Sequence, residues 1–357
     1  MVRLFRGSSP RPIIEYLTID NEEGVNWVKI GDVPTSGRII TSTEEKITKE
    51  GAKKSRHVYV GDLILSNSMS YGLPYIMGIE GCIHDGWFVL RDYEQNFNKD
   101  YLCNLLISDI AQKQYKKLAA GGVVQNISSD LVNSVFISIP SLDEQRKIAG
   151  LLSLIDERIA TQNKIIEDLK KLKSAISKKL LDNDRWTTYK IQDIAKIGRG
   201  RVISSVEIER QKHPLYPVYS SQTSNDGIMG YLDDYMFDGE YITWTTDGAN
   251  AGTVFYRKGK FNCTNVCGTL KIQPKYDCYF VSLVLQQATQ KYVSFNLANP
   301  KLMNNIMASI KIKMPDIEMQ KQLSKIFQTL DSCLLVHQRT CDMYSREKQY
   351  LLCQMFI

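Results

Sequence analysis

The sequence predicts an α+β fold in which two mixed α/β domains are separated by two long antiparallel helices that form a coiled coil, with pseudo-two-fold symmetry. Three observations carry this. An internal repeat runs at a constant offset of 175 residues, so that Pro140-Ser-Leu-Asp-Glu-Gln145 returns as Pro315-Asp-Ile-Glu-Met-Gln320. Each copy continues into about forty residues with a heptad-like apolar seam. Each is preceded by a region rich in Gly, Ser, Asn and Tyr with short β-like runs.

The predicted boundaries are a first mixed domain at 1–139, a helix at 140–182, a second mixed domain at 183–314 and a second helix at 315–357. In the first domain Val58 to Leu65 reads as strand, turn and strand about Gly61-Asp62. Its counterpart is Met236 to Thr243 about Gly239-Glu240. Trp87 to Leu90 and Gly268 to Gln273 are further strands. One helical segment follows in each domain, at Lys99 to Leu118 and at Tyr279 to Val293. A polar loop then feeds a last strand, Gln125 to Ile139 and Asn299 to Met314, with Asn126 aligned to Lys301. The second domain opens with Trp186 to Ile194, which has no counterpart before Val2. Either the chain is truncated at its N terminus or the first domain lacks an opening strand.

The first helix places Ile148, Leu152, Ile155, Ile159, Gln162, Ile166, Leu169, Ile176 and Leu180 on one seam. The second repeats it with Leu323, Phe327, Leu330, Leu334, His337, Cys341, Tyr344, Leu351 and Met355. Acidic residues in the first turn and Lys178-Lys179 near the end of the first helix suit the helix dipole. At 1.5 Å per residue each helix is a rod of roughly 60 Å, and so narrow a stripe is hidden only if the helices pack on each other.

Composition excludes several classes. Apolar residues make up 43% and charged residues 24% of the 357, as in globular domains. No apolar run approaches the ~20 residues that span a bilayer, and the charged start MVRLFRGSSP lacks a secretory core, so no membrane association and a cytoplasmic location are expected. Eight scattered cysteines read as reduced, mostly buried thiols, and no metal site is expected. The net charge of +6 permits nucleic-acid binding without demanding it. There is no phosphate-binding GxxxxGK[ST] loop, no Asn-Pro-Pro-aromatic methyltransferase motif, no glycine-rich cofactor loop and no Ser/His/Asp set. Pro315-Asp316 with Glu318 imitates a nuclease motif, but Gln320 stands where its lysine belongs. Neither catalytic residues nor a cofactor are therefore expected in this chain.

Polar loops remain. In the first domain the candidates for DNA contact are Arg6, Ser8, Ser9, Arg11, Lys29, Ser66, Asn67, Ser68, Ser70, Tyr71 and Asn126. In the second they are Arg199, Arg201, Ser220, Ser221, Gln222, Thr245, Thr246, Asp247, Asn250 and Lys301. Arg and Lys can pair with guanine O6 and N7, Asn and Gln with adenine N6 and N7, and hydroxyls with phosphates. A coiled-coil scaffold with only non-specific DNA affinity is the alternative.

Ile137-Ser-Ile-Pro-Ser-Leu-Asp-Glu-Gln-Arg-Lys-Ile-Ala149, its continuation through Leu151-Leu152 and Ile155-Asp156, and the copy from Pro315 resemble the specificity subunit of type I DNA restriction-modification enzymes. Phe5 to Pro10, the two Gly-acidic turns and Trp186 with Ile191-Gln-Asp-Ile194 extend the resemblance over essentially the whole chain. It implies that each mixed domain is a target recognition domain for one half of a bipartite, asymmetric double-stranded DNA site. It implies that the helices set the gap and dock two methyltransferase subunits, which carry S-adenosylmethionine. It leaves room for motor/nuclease subunits. Ile148, Leu152, Ile155, Ile159, Leu323, Phe327, Leu330 and Leu334 mark the helices expected to dock those partners.

Overall fold

Pro140 and Pro315 each precede a short polar residue that caps a long helix. The amide of Glu144 donates to Ser141 Oγ at 3.4 Å, and the amide of Met319 donates to Asp316 Oδ1 at 2.9 Å. In the computed structural model these helices run Leu142–Leu180 and Ile317–Met355. The structure describes residues 2–20, 22–34, 37–67, 72–119, 132, 137–181, 183–294 and 299–356. The chain folds as two compact units, one of residues 1–163 with 339–357, the other of residues 164–338, so each long helix contributes one half to each unit.

The described residues of unit 1 form ten short strands: β1 (Arg3–Arg6), β2 (Leu17–Thr18), β3 (Val25–Val28), β4 (Ile39–Ile40), β5 (Glu45–Ile47), β6 (Arg56–Val58), β7 (Leu63–Ser66), β8 (Pro74–Met77), β9 (Gly81–Ile83) and β10 (Trp87–Arg91). They form two five-stranded sheets, ordered β1-β10-β7-β8-β4 and β2-β5-β3-β9-β6. The two-residue alternation of strands decides the layers. Ile64, Trp87 and Val89 pack with Val28, Val58 and Ile83 of the second sheet. Leu63, Leu65, Phe88 and Leu90 face the other way, onto helices. Those are α1 (Lys99–Ile107), α2 (Asp109–Ala119), the start of α3 (Leu142–Leu180) and the end of the C-terminal long helix, through Leu152, Leu352 and Phe356.

The helical segment expected to run unbroken from Lys99 is thus two helices. Ser108 adopts an extended ψ of 155°, its buried hydroxyl donates to Leu105 O, and Ser108-Asp109 starts the next helix. Ser-Asp is a helix-start signal that interrupts the apolar period here.

Unit 2 contains β11 (Thr187–Lys190), β12 (Ala195–Arg199), β13 (Tyr216–Tyr219), β14 (Ile228–Leu232), β15 (Phe237–Thr245), β16 (Val254–Cys263), β17 (Cys267–Ile272) and β18 (Lys311–Met314). Six of these make a sheet ordered β12-β17-β15-β16-β13-β14, and β11 pairs with β18. One face of the large sheet, with Ile242, Trp244, Val254, Leu270 and Ile272, packs on α4 (Cys278–Ala288) and on Leu323 and Phe327 of α5 (Ile317–Met355). The turn expected at Gly239-Glu240 is instead the interior of the nine-residue β15. Gly239 and Gly259 lie directly opposite on paired strands, both at positive φ, so two residues without Cβ absorb the distortion inside the ladder. Gly61 does sit in a turn, and it links strands of two different sheets.

The two units differ at the opening strand of unit 2. In unit 2, β11 supplies the antiparallel partner of β18, from Thr187 opposite Met314 to Lys190 opposite Lys311. The corresponding stretch of unit 1, residues 137–139, forms no strand.

The long helices run antiparallel within each unit. In unit 1 Lys348 Nζ lies 2.5 Å from Asp156, and Cys341 Sγ lies 3.4 Å from Asn163 Oδ1. In unit 2 Lys173 pairs with Asp331. These ion pairs are one contact seen twice, because Asp331 and Lys348 are the repeat counterparts of Asp156 and Lys173.

The repeated glutamine fastens each unit to its helix. Gln145 is fully buried; its Oε1 accepts from the Asn98 amide at 2.9 Å, and its Nε2 donates to Asn96 O and Pro140 O. Gln320 Oε1 accepts from the Asp277 amide at 3.0 Å and its Nε2 donates to Pro315 O at 2.8 Å. Asn98 and Asp277 are the N-caps of α1 and α4. The residue that spoils a nuclease motif is therefore a joint between domain and long helix.

Four of the seam residues named as markers of the docking helices are buried within the chain. Leu152 and Phe327 are fully buried, and Ile155 and Leu323 nearly so. Leu152, Leu323 and Phe327 are held inside the chain's own cores.

Candidate nucleic-acid interface

In unit 1 the candidates Arg6, Ser9, Arg11 and Asn67 converge on one turn, residues 84–87, between β9 and β10. The Trp87 amide closes the turn on His84 O at 3.1 Å. The Gly7 amide donates to Trp87 O at 2.8 Å and the Ser8 amide to Ile83 O at 3.3 Å, so β1 continues along the turn. Gly7 has to be glycine, since a Cβ there would lie 2.1 Å from His84 O. Arg6 Nε donates to Asp85 O at 3.3 Å; Asn67 donates its side-chain amide to Asp85 O and its backbone amide to Gly86 O, both at 2.9 Å.

The Asp85 carboxylate gathers the rest. It accepts from Ser9 Oγ at 2.9 Å, pairs with His84 Nε2 at 2.8 Å and lies 3.4 Å from Arg11. Partial burial alone would raise its pKa, but the Ser9 hydrogen bond, the contact with His84 and the Arg11 guanidinium outweigh it and hold it below the ordinary carboxylate value. Serine, histidine and aspartate meet here without forming a nucleophilic set. The serine hydroxyl donates to the carboxylate, and the imidazole spends its Nε2 on Asp85 and its Nδ1 on the Gly86 amide, so the imidazole is not aimed at the hydroxyl.

Other candidates of unit 1 make separate contacts. Ser8 Oγ donates to Lys54 O, and Ser66 Oγ accepts from the Leu73 amide at 3.1 Å. Lys29 lies 2.8 Å from Glu45 and 3.7 Å from Glu44; the Glu45 hydrogen bond raises its pKa. Ser68, Ser70, Tyr71 and Asn126 lie outside the described residues.

Unit 2 brings Arg199 and Thr246 to the matching turn, residues 264–267, and pairs Asp247 with Lys301 next to Thr246 in the chain. The Cys267 amide closes it on Thr264 O at 3.0 Å, Gly200 donates to Cys267 O at 3.1 Å and the Arg201 amide to Cys263 O at 3.2 Å. A Cβ on Gly200 would lie 2.1 Å from Cys263 O. Arg199 Nε donates to Asn265 O at 2.5 Å and its Nη2 to Thr246 Oγ1 at 2.9 Å. The Thr246 amide and hydroxyl both donate to Val266 O, and Thr246 O accepts from the Leu302 amide. Asp247 accepts from Asn299 Nδ2 and lies 3.7 Å from Lys301 Nζ.

Thr245, the last residue of β15, is buried, as is Thr246 after it. Asn250 donates to Ser221 O at 3.1 Å, tying loop 246–250 to the loop after β13. There the Ser220 amide donates to Gly227 O and Gln222 Nε2 to Ile228 O. Arg201 turns to Glu207, whose hydrogen bond raises the guanidinium pKa while the carboxyl pKa falls.

Sequence reading missed three residues. Asp85 and Asn265 occupy the turns but look like ordinary loop residues. Arg257 is buried in β16, where its guanidinium lies 3.6 Å from the Tyr219 ring centroid and 4.4 Å from that of Phe255. It grips loop 220–227 through the Asp226 carboxylate at 2.6 Å and Asp226 O at 2.7 Å. Asn225 and Asp226 are both held at positive φ there.

Both clusters present guanidinium, amide and hydroxyl donors with interspersed acceptors, the equipment for phosphates and base edges. Among the described residues no three His, Cys, Asp or Glu side chains are placed to hold a metal ion. The pattern of the type I restriction modification DNA specificity domain matches twice, at residues 9–171 and 183–341. The chain belongs to this type I specificity family. A Mycoplasma pneumoniae protein described as a type I specificity subunit is 37% identical over 233 residues, 62% of this chain and 94% of that protein. The specificity subunit of the type I restriction enzyme MpnII, from the same organism, is 39% identical over 178 residues, 49% of this chain and 53% of its own length. The crystal structure of a type I S subunit from M. genitalium superposes with a TM-score of 0.66 at 17% identity, covering 100% of this chain and 94% of that one. A chain from a structural study of complex assembly in a type I system gives a TM-score of 0.60 at 15% identity. Both likenesses concern the fold.

Proposed function

We propose that this chain is the non-catalytic reading subunit of a type I restriction-modification enzyme, with unit 1 and unit 2 each reading one half of a bipartite, asymmetric double-stranded site. The observation that carries this is the duplicated polar turn cluster, present once per unit. The long helices set the spacing of the two halves. Methyltransferase subunits dock on their outer faces and bring S-adenosylmethionine and adenine methylation, and this chain holds no cofactor of its own. Leu151 and its repeat counterpart Ile326 are both exposed on those faces, which supports docking there. Motor/nuclease subunits join the same assembly. Among the described residues no helix is long and apolar enough to cross a membrane.

The test is sequencing of methylated adenines in cells expressing the chain with its methyltransferase. A bipartite motif that depends on this chain is expected, and exchange of residues 1–139 should alter one half only. An unchanged methylome on deletion would sink the proposal. Binding with a steep salt slope and no sequence preference would favour a non-specific scaffold. Seven residues inserted into each long helix add about 10 Å, and should widen the gap by about three base pairs.

A further inference from the structure

The turns at 84–87 and 264–267 are built by the same backbone hydrogen bonds. Arg6 and Arg199 each donate Nε to the carbonyl of the turn's second residue, Asp85 O or Asn265 O. Gly7 and Gly200 donate to the fourth residue, Ser8 and Arg201 to the residue before the turn, and Asn67 and Thr246 to the third. The Arg-Gly pair is kept in both copies, because these contacts need a guanidinium and a residue without Cβ. The turn side chains are not kept: His84, Asp85 and Gly86 stand where unit 2 has Thr264, Asn265 and Val266. A frame held constant with its tip varied is the pattern that two readers of different sequences require.

We infer that the second residue of each turn, Asp85 and Asn265, is a specificity-determining position for the half-site its unit reads. The inference rests on the DNA-reading function proposed above. Asn265 is exposed, and its carbonyl is already fixed by Arg199, so the side-chain amide is free to vary without loosening the turn. An Asn side chain matches the N6 and N7 pair of adenine. Asp85 is an acceptor, and beside a polyanion a carboxylate needs compensation, which Arg11, His84 and Ser9 supply. An acceptor on the major-groove edge selects an exocyclic amino group, cytosine N4 or adenine N6, and rejects the carbonyls of guanine and thymine. Arg6 and Arg199 act as positioning residues through the turn.

The experiment uses the full chain in complex with its methyltransferase subunits, with Asn265→Ala and Asp85→Asn introduced separately. Methylome sequencing should show one base position losing its preference in one half for Asn265→Ala, by roughly 10- to 100-fold in discrimination. Asp85→Asn should change one position in the other half. In each variant the untouched half reports that the complex is intact. If a variant abolishes methylation, competition binding of the complex to duplexes randomised at one position decides: a flattened preference supports the inference, and an unaltered one overturns it. A wild-type motif that both variants retain unchanged also overturns it. Absence of any bipartite motif with the wild-type chain would instead overturn the reading on which the inference rests. The base chosen at Asp85 distinguishes cytosine from adenine as the source of the amino group.

Discussion

Between the two units, the buried glutamine and the Asp–Lys pair on the long helices repeat, whereas the turn clusters repeat their backbone bonds and the Arg-Gly pair but not the side chains at their tips. Asp156 with Lys348 answers Asp331 with Lys173, and Gln145 answers Gln320. Around the turns Asp85 answers Asn265 and Asn67 answers Thr246. A side chain whose task is to hold the chain together has one solution in both copies. A side chain that faces a ligand differing from one half-site to the other does not.

The comparison breaks most visibly in the cores. Leu152 and Phe327 are repeat counterparts and both are fully buried. Phe327→Ala should cost unit 2 about 3–5 kcal/mol and Leu152→Ala should cost unit 1 about 2–5 kcal/mol, through lost burial and the cavity left behind. Denaturant unfolding with a reporter in each unit checks this. Equal loss in both units from a single substitution would mean that the units do not unfold separately.

The glutamine joints come next. Gln320→Leu leaves the Asp277 amide and Pro315 O without their partner, at about 1–3 kcal/mol. Gln145→Leu strands the Asn98 amide, Asn96 O and Pro140 O, one more group, and should cost at least as much. Hydrogen exchange at the first turns of α1 and α4 measures the two joints separately. Protection unchanged in either would remove that joint's role.

Among the described residues no arginine of unit 1 is stacked between two rings as Arg257 is, so Arg257 sharpens the contrast. Arg257→Met keeps an unbranched apolar stem and removes the grip on Asp226 and the charge between two rings. A loss of about 2 kcal/mol is expected. The motif half read by unit 2 should blur while the other half stays sharp. If both halves blur, Arg257 supports the whole chain rather than one loop.

How much of this was legible in the sequence follows from how local each signal is. The long helices announce themselves through an apolar period and a proline with a capping residue, all within a few positions of one another. The break at Ser108 is also local, but an unbroken apolar pattern on both sides masks it. Gly239 reads as a turn because glycine usually marks one; only its place opposite Gly259 on a neighbouring strand makes it a strand residue. The turn clusters are the least legible. Arg6 meets Asp85 across 79 residues and Arg199 meets Asn265 across 66, and each grips a carbonyl that any residue would supply. Arg6 and Arg199 could be picked by their chemistry, but Asp85 and Asn265 acquire importance only once the strands are paired.

The ion pairs between the long helices should give the smallest effect and the finest test of the repeat. Lys348 is the more buried of the two lysines, with 16% of its side chain exposed against 25% for Lys173, and the aspartates are 46% and 39% exposed. Solvent screens both pairs, so a double-mutant cycle on either should return about 0.2–1 kcal/mol, falling with added salt. Asp331 carries a second duty, because it also accepts the Tyr279 hydroxyl. Burial, together with that hydrogen bond, drives the Tyr279 pKa upward and keeps the hydroxyl a donor. Removal of Asp331 therefore strands a phenol as well as a lysine, and Asp331→Ala should cost more than Asp156→Ala although the ion pairs are equivalent. Adding Tyr279→Phe should bring the two aspartate substitutions to the same value. If the difference persists, the helix contacts of the two units are not interchangeable.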